Sequence, residues 1–153
     1  VFDRAMQLLR DAGIDLESPH PDVDAQRPLI DVLLAPAPVY AKPILAILRR
    51  YRVKKPVAAM SVVSETGLYP CVESLLPDGL RFEPLALAWP ITPVERLLIN
   101  LEKITPQQAV SRWPLGAGMV IIVRPPFADS ILTQLRRLRQ PAWSIGRIAA
   151  TRA

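Results

Sequence analysis

The sequence predicts an α/β fold of the α+β kind, a mixed β-sheet with helices packed on its faces. Three observations lead there. Apolar residues recur at helical spacing in several segments, as in Val39 to Arg52. Two short runs, Val57 to Val63 and Met119 to Val123, are almost wholly apolar and read as buried strands. Glycine and Thr-Pro signals separate these segments, so strands and helices alternate along the chain. The bulk properties agree. A chain of 153 residues suits one domain with a real core. Half of its residues are hydrophobic and the net charge is only +5, which excludes disorder. Charges or prolines interrupt every apolar run well short of the roughly 18 residues of a membrane span. The 17 prolines are dispersed at element boundaries and punctuate a folded chain. A mean hydropathy of +0.21 is high for so charged a chain and is read as apolar surface meant for another chain or domain.

Taken in order, Phe2 to Arg10 has helical apolar spacing and stops at Gly13, a good C-cap. Ser18 to Pro28 is polar and proline-containing, and is expected as a loop or linker. Leu29 to Leu34 reads as a short helix stopped before Pro36, and Val39 to Arg52 as an amphipathic one. Val57 to Val63 is expected as a strand covered on both faces. The turn Ser64-Glu65-Thr66-Gly67 follows, then a helical turn or two from Leu68 to Leu76, ended by Pro77-Asp78-Gly79. Leu80 to Trp89 reads as a strand that Pro84 places near an edge or bulge. Thr92-Pro93-Val94-Glu95 carries an N-cap, a proline at the first position and a capping-box glutamate, and Thr105-Pro106-Gln107-Gln108 repeats the signal. Met119 to Val123 is the strongest strand, entered through Leu115-Gly116-Ala117-Gly118. A helix from Phe127 to Leu138 and a strand from Ala142 to Ile148 complete the chain.

The residue inventory argues against most enzyme classes. His20 is the only histidine and has no Cys or carboxylate at ligand spacing, so no metal site is expected. Cys71 is the only cysteine, which excludes an intrachain disulfide framework; it reads as a small buried residue of a reducing compartment. No phosphate-binding GxxxxGK[ST] and no dinucleotide GxGxxG is present. Gly116-Ala117-Gly118 precedes a strand, the wrong order for that fingerprint, and is read as close backbone packing. The cations of Arg49-Arg50-Tyr51-Arg52 and Arg136-Arg137-Leu138-Arg139 end apparent helices, where they complement the macrodipole, and nucleic acid is not expected as a partner. No signal peptide is expected from Val1-Phe2-Asp3-Arg4, and the missing initiator methionine suggests an internal fragment. The turn Ser64 to Gly67, after a buried strand, is where α/β folds commonly build sites.

The order of segments adds more. Leu33-Leu34-Ala35-Pro36-Ala37-Pro38-Val39-Tyr40-Ala41-Lys42-Pro43-Ile44-Leu45 resembles the Leu-Leu-x-Pro-Thr-Arg-Ile-Tyr-Val-Lys-Pro-Val-Leu stretch of the aminoimidazole ribonucleotide synthetase family, also called phosphoribosylformylglycinamidine cyclo-ligases. Gly67-Leu68-Tyr69 with Leu75-Leu76-Pro77-Asp78-Gly79-Leu80, Trp89-Pro90-Ile91-Thr92-Pro93-Val94, Leu115 to Val120 and Ala142-Trp143-Ser144-Ile145-Gly146 are similar to further motifs of that family, in the family's order. The resemblance covers nearly the whole chain, and its strength lies in collinearity. It implies the C-terminal domain of such a protein: residues 1–28 would lead, as a helix and linker, from a nucleotide-binding N-terminal domain, and 29–153 would be the C-terminal-like domain. It further implies an enzyme of purine biosynthesis in the cytoplasm, in which ATP activates the formyl amide oxygen of formylglycinamidine ribonucleotide and ring closure releases ADP and phosphate. ATP and magnesium would belong to an intact parent, with no cofactor and no catalytic residue in this fragment. The partners implied are that N-terminal domain and, for the parent, a second copy in a homodimer.

The substrate-binding candidates under this resemblance are Lys42, Ser64, Glu65, Thr66 and Gly67. The family's His-Ile-Thr-Gly-Gly-Gly falls on Val62 to Gly67, so a histidine is replaced by Val62 and two glycines by Glu65 and Thr66. The asparagine of Asn-Met-Gly-Ile-Gly falls on Pro114, and the Thr-Arg before Ile-Tyr falls on Ala37-Pro38. Scaffold positions persist while polar positions are lost, so the fragment alone is expected to be inactive. The competing reading is a catalytically dead relative kept as a ligand-binding or interaction domain. Selenophosphate synthetase and thiamine monophosphate kinase fit the Lys42 and Trp143 segments less well.

Overall fold

The computed structural model describes residues 2–63, 67–85 and 89–151. The first helix, α1 (Phe2–Asp11), opens with Asp3, closes with Arg10 and buries Ala5 and Leu9 on one face. Gly13 stops it with a φ of +67°, and the Ile14 N–H donates to the Leu9 carbonyl across the end. Where a loop was expected, β1 (Pro19–His20) and β2 (Asp24–Pro28) pair antiparallel as a small hairpin. The prolines do not oppose this, because they stand at the ends of the ladder, where the missing N–H costs nothing. The His20 Nδ1 accepts from the Asp22 N–H inside that hairpin, and Asp24 bonds Arg27.

The helices α2 (Leu29–Leu33) and α3 (Ala41–Arg50) follow, then β3 (Val57–Val62), α4 (Leu68–Glu73) and β4 (Leu80–Pro84). The strand β4 ends at Pro84, earlier than the expected Trp89; of the remainder, residues 86–88 lie outside the described residues. The helices α5 (Pro93–Glu102) and α6 (Pro106–Val110) start where the Thr-Pro signals place them. At Thr105 the capping box is complete, with the Gln108 side chain accepting from the Thr105 N–H at 2.9 Å. At Thr92 only the first half forms, since the Glu95 carboxylate takes the Thr92 hydroxyl instead of its N–H. The strand β5 (Met119–Val123), a 3-10 turn (Pro125–Phe127), α7 (Ala128–Arg137) and β6 (Gly146–Ala150) complete the chain.

The fold is α+β, as expected, but its strands do not join one mixed sheet. Among the described residues they form three two-stranded antiparallel ladders, β1–β2, β3–β5 and β4–β6. The last strand lies further along than Ala142 to Ile148. Its register is fixed by β4, with Gly146 opposite Pro84 and the Phe82 ring against Gly146, where a side chain would collide.

The apolar interior has two parts. The larger surrounds the fully buried Trp113, with Leu9, Leu29, Leu68, Leu98 and Leu115. Burial of each such side chain is worth about 1.5–3 kcal/mol. Trp113 Nε1 donates to Glu102 Oε2 at 2.9 Å, and Glu102 also pairs with Arg4 of α1, tying the first helix to α5. The smaller part is Ile47 of α3 with Ile131 and Leu135 of α7. The strand β5 runs between the two: Val120 and Ile122 face the larger, Ile121 and Val123 the smaller. It is therefore covered on both faces, as its unbroken apolar run requires. Its neighbour β3 is not. Ala58 and Val62 are exposed, Val62 at 61%, so nothing among the described residues covers β3 at these two positions.

Candidate functional site

The turn expected to carry the site joins β3 to α4. Ser64, Glu65 and Thr66 lie outside the described residues; what the structure shows is how their two ends are held. At the first end, the Val63 N–H donates to the Gly118 carbonyl at 3.1 Å, extending the ladder in which Val62 stands opposite Met119. At the second end, Gly67 is the N-cap of α4 with φ +93°, a conformation that L side chains rarely adopt. A Cβ there would stand 3.0 Å from backbone atoms of Ser111 and Arg112. The retained glycine is thus required twice, by its dihedral and by close approach. The Leu68 N–H donates to the Trp113 carbonyl at 3.1 Å, which locks α4 to the segment after α6.

Cys71, in α4, is buried and directs its thiol toward the Val62 carbonyl at 3.5 Å. It is a packing residue, as its apolar setting suggests. Gly116 has φ +77° and lies on the Pro90 carbonyl, while Trp89 Nε1 donates to the Leu115 carbonyl at 2.7 Å. The Gly-Ala-Gly segment is therefore close backbone packing, with no role as a dinucleotide loop.

Tyr40 is the residue that sequence reasoning missed. Its hydroxyl presses on Gly118 so closely that any Cβ there would collide with it. Burial of the phenol pushes its pKa up. Because Gly118 is also the partner of Val63, this contact brings the start of α3 to the strand end from which the turn departs. Lys42 sits two residues further on, in the first turn of α3, with its side chain exposed. A glycine just before a buried strand was the available signal, since such glycines mark close approach.

The contact therefore brings the start of α3 to the first anchor of the turn, while the second anchor, Gly67, packs on Ser111 and Arg112. Val62, beside the first anchor, and Val39, beside Tyr40, are both exposed, Val39 at 81%. Among the described residues no three His, Cys, Asp or Glu side chains are placed to hold a metal ion.

Fold and site together define an α+β domain with a surface-lying candidate site built on strand ends and glycine contacts. The chain belongs to the family described as AIR synthase related protein, C-terminal domain, whose model matches residues 5–153. It is similar to the phosphoribosylformylglycinamidine cyclo-ligase of Methylobacillus flagellatus, 33% identical over 149 residues, which is 97% of this chain and 41% of that protein. The proteins of the same name from Burkholderia cenocepacia and Burkholderia mallei are 31% and 32% identical over 140 residues, 90% of this chain and 39% of each of them. The chain thus spans about two fifths of the length of the curated relatives it matches.

Proposed function

We propose that the chain acts as the C-terminal portion of a phosphoribosylformylglycinamidine cyclo-ligase-like protein of purine biosynthesis, in the cytoplasm, and supplies one wall of a site for ATP-dependent closure of an imidazole ring. The carrying observation is the family match over residues 5–153, set beside relatives more than twice as long. Lys42, the Ser64 to Thr66 segment and the Gly67 backbone form that wall. The nucleotide and its magnesium belong to the N-terminal portion, as does the main contact of a parent homodimer. The isolated chain neither hydrolyses ATP nor closes the ring.

The experiment is a chimera in which this chain replaces the matching portion of the Methylobacillus flagellatus protein. Ring closure by the chimera, with none by the isolated chain, is the expected result. A chimera that folds and binds ATP but closes no ring would overturn the reading. The replacements at Val62, Glu65 and Thr66 would then mark a non-catalytic binding domain. Steady ADP release by the isolated chain would also overturn it.

A further inference from the structure

We infer that the cleft between the C-terminal end of α3 and the start of α7 binds a ligand carrying linked phosphate groups. The two helices run antiparallel, because Gln134 Nε2 donates to the Ala46 carbonyl at 3.1 Å while the Tyr51 hydroxyl donates to Ser130 Oγ at 2.8 Å. This sets the run from Arg49 to Lys54 against Pro126, Phe127 and Ser130, around an open cleft of about 850 Å³. A smaller hollow of about 310 Å³ beside it shares Arg50 and Ser130 and adds Arg137.

The charge here exceeds what the helix end requires. A helix C-terminus carries the equivalent of about half a negative charge. Residues 49–55 hold five cations, Arg49, Arg50, Arg52, Lys54 and Lys55, and no acid. The backbone of Arg124 lies beside this run, its N–H bonded to the Pro56 carbonyl at 2.8 Å, and the cations that line the cleft are Arg49, Arg50, Arg52 and Lys54. The one carboxylate on either lining is Asp129, in the smaller hollow. None of these six cations makes an ion pair with another described residue.

Two of the cations lie against aromatic rings. The Arg50 guanidinium lies 5.8 Å from the centre of the Tyr51 ring, and the Lys54 ammonium 5.8 Å from that of Phe127. The rings pack edge to face at 5.9 Å, and Tyr51 is pinned by Ser130. This framework also decides the chemistry of the ligand. Each ring already carries a cation, so the cleft is suited to phosphate oxygens rather than to stacked bases of a nucleic-acid strand. Cations spread over a cleft of this size suit several linked anionic groups better than one.

The test is calorimetric titration of the chain with inorganic tripolyphosphate, at low and at physiological salt. Saturable binding that weakens with salt is expected. The double variant Arg50→Gln, Lys54→Gln should lose roughly tenfold or more in affinity, as removal of charge-assisted contacts implies. Arg10→Gln with Arg27→Gln removes the same charge elsewhere and should leave the affinity within about twofold. Absence of tripolyphosphate binding by a chain with native circular dichroism would overturn the inference, as would equal losses in both double variants. Binding of a single-stranded oligouridylate, or of a polyglutamate peptide, without binding of tripolyphosphate would overturn it in favour of a macromolecular partner.

Discussion

Tyr40 lies with its hydroxyl against the backbone of Gly118, so the start of α3 and the start of β5 meet in close contact. Replacing Gly118 by alanine forces the phenol out of its half-buried position. The phenol is the far end of a flexible side chain, and the Gly118 φ is not positive, so the cost is moderate, about 1–2 kcal/mol. The Tyr40→Ala, Gly118→Ala double variant should recover part of it. Urea denaturation of the four forms measures the coupling; additive losses would show that the two residues do not press on each other.

Gly67 should tolerate replacement far less well. Its φ of +93° strains any other residue, and the atoms a Cβ would meet are backbone atoms of Ser111 and Arg112, which cannot rotate aside. Gly67→Ala is expected to cost about 2–4 kcal/mol. Gly13 serves as the comparison, because its φ is also positive but nothing lies within 4 Å of a Cβ there. Gly13→Ala should cost only about 1–2 kcal/mol. Equal losses at the two positions would remove the role given to the Ser111–Arg112 contact.

The ladder β4–β6 carries a pH dependence. Glu83 accepts from Arg81 of its own strand and from Arg147 of β6, and these hydrogen bonds hold its carboxyl below the ordinary value of 4.5. A carboxyl lowered in the folded state stabilises it fully above that ordinary value, and the contribution is lost as pH falls through the lower folded value. Stability against urea should therefore fall below about pH 4.5 less steeply in Glu83→Gln than in the unaltered chain. Arg147 is largely exposed and Arg81 and Glu83 are only partly covered, so added salt should narrow the difference. Parallel pH profiles would show that the two ion pairs contribute nothing.

The turn after β3 can be tested by restoring what the family motif has there. Val62 is exposed, so Val62→His adds a polar ring without leaving a cavity. Glu65→Gly removes a carboxylate that repels an anion, and Thr66→Gly frees the backbone. The triple variant should bind formylglycinamidine ribonucleotide roughly tenfold more tightly than the unaltered chain, for which negligible affinity is expected. Calorimetry on both forms checks it; tight phosphate-dependent binding by the unaltered chain would mean that the site was never lost.

Local chemistry was legible in the sequence and pairing was not. Thr92, Thr105 and Gly13 act through groups within a few residues of themselves, so the helix ends they mark could be read directly. The hairpin at Pro19 to Pro28 and the register of β6 depend on partners, and a proline-flanked polar run looks the same with or without one. The same division holds at the site. The motif order names the turn and Lys42 as candidates, but Tyr40 meets Gly118 across a long stretch of chain, which no spacing rule reaches. The cations after Arg49 were plain in the sequence, yet their meeting with Phe127 follows only from the antiparallel packing of α3 and α7.

The strand β5 has apolar residues reaching into both parts of the interior, and this shapes how the molecule opens. The α3–α7 layer rests on Ile47, Ile131 and Leu135 as its buried contacts, whereas the larger cluster gathers most of the remaining core. Less apolar area holds that layer, so it is the natural first unit to detach, in a sub-global opening that leaves the Trp113 cluster closed. Amide protons in α3 and α7 would then exchange together and sooner than those of α5, with β5 keeping its protection until the whole chain unfolds. A basic cleft carried on the less firmly held layer gives any anion bridging α3 and α7 a second effect, that of a clamp which slows this opening.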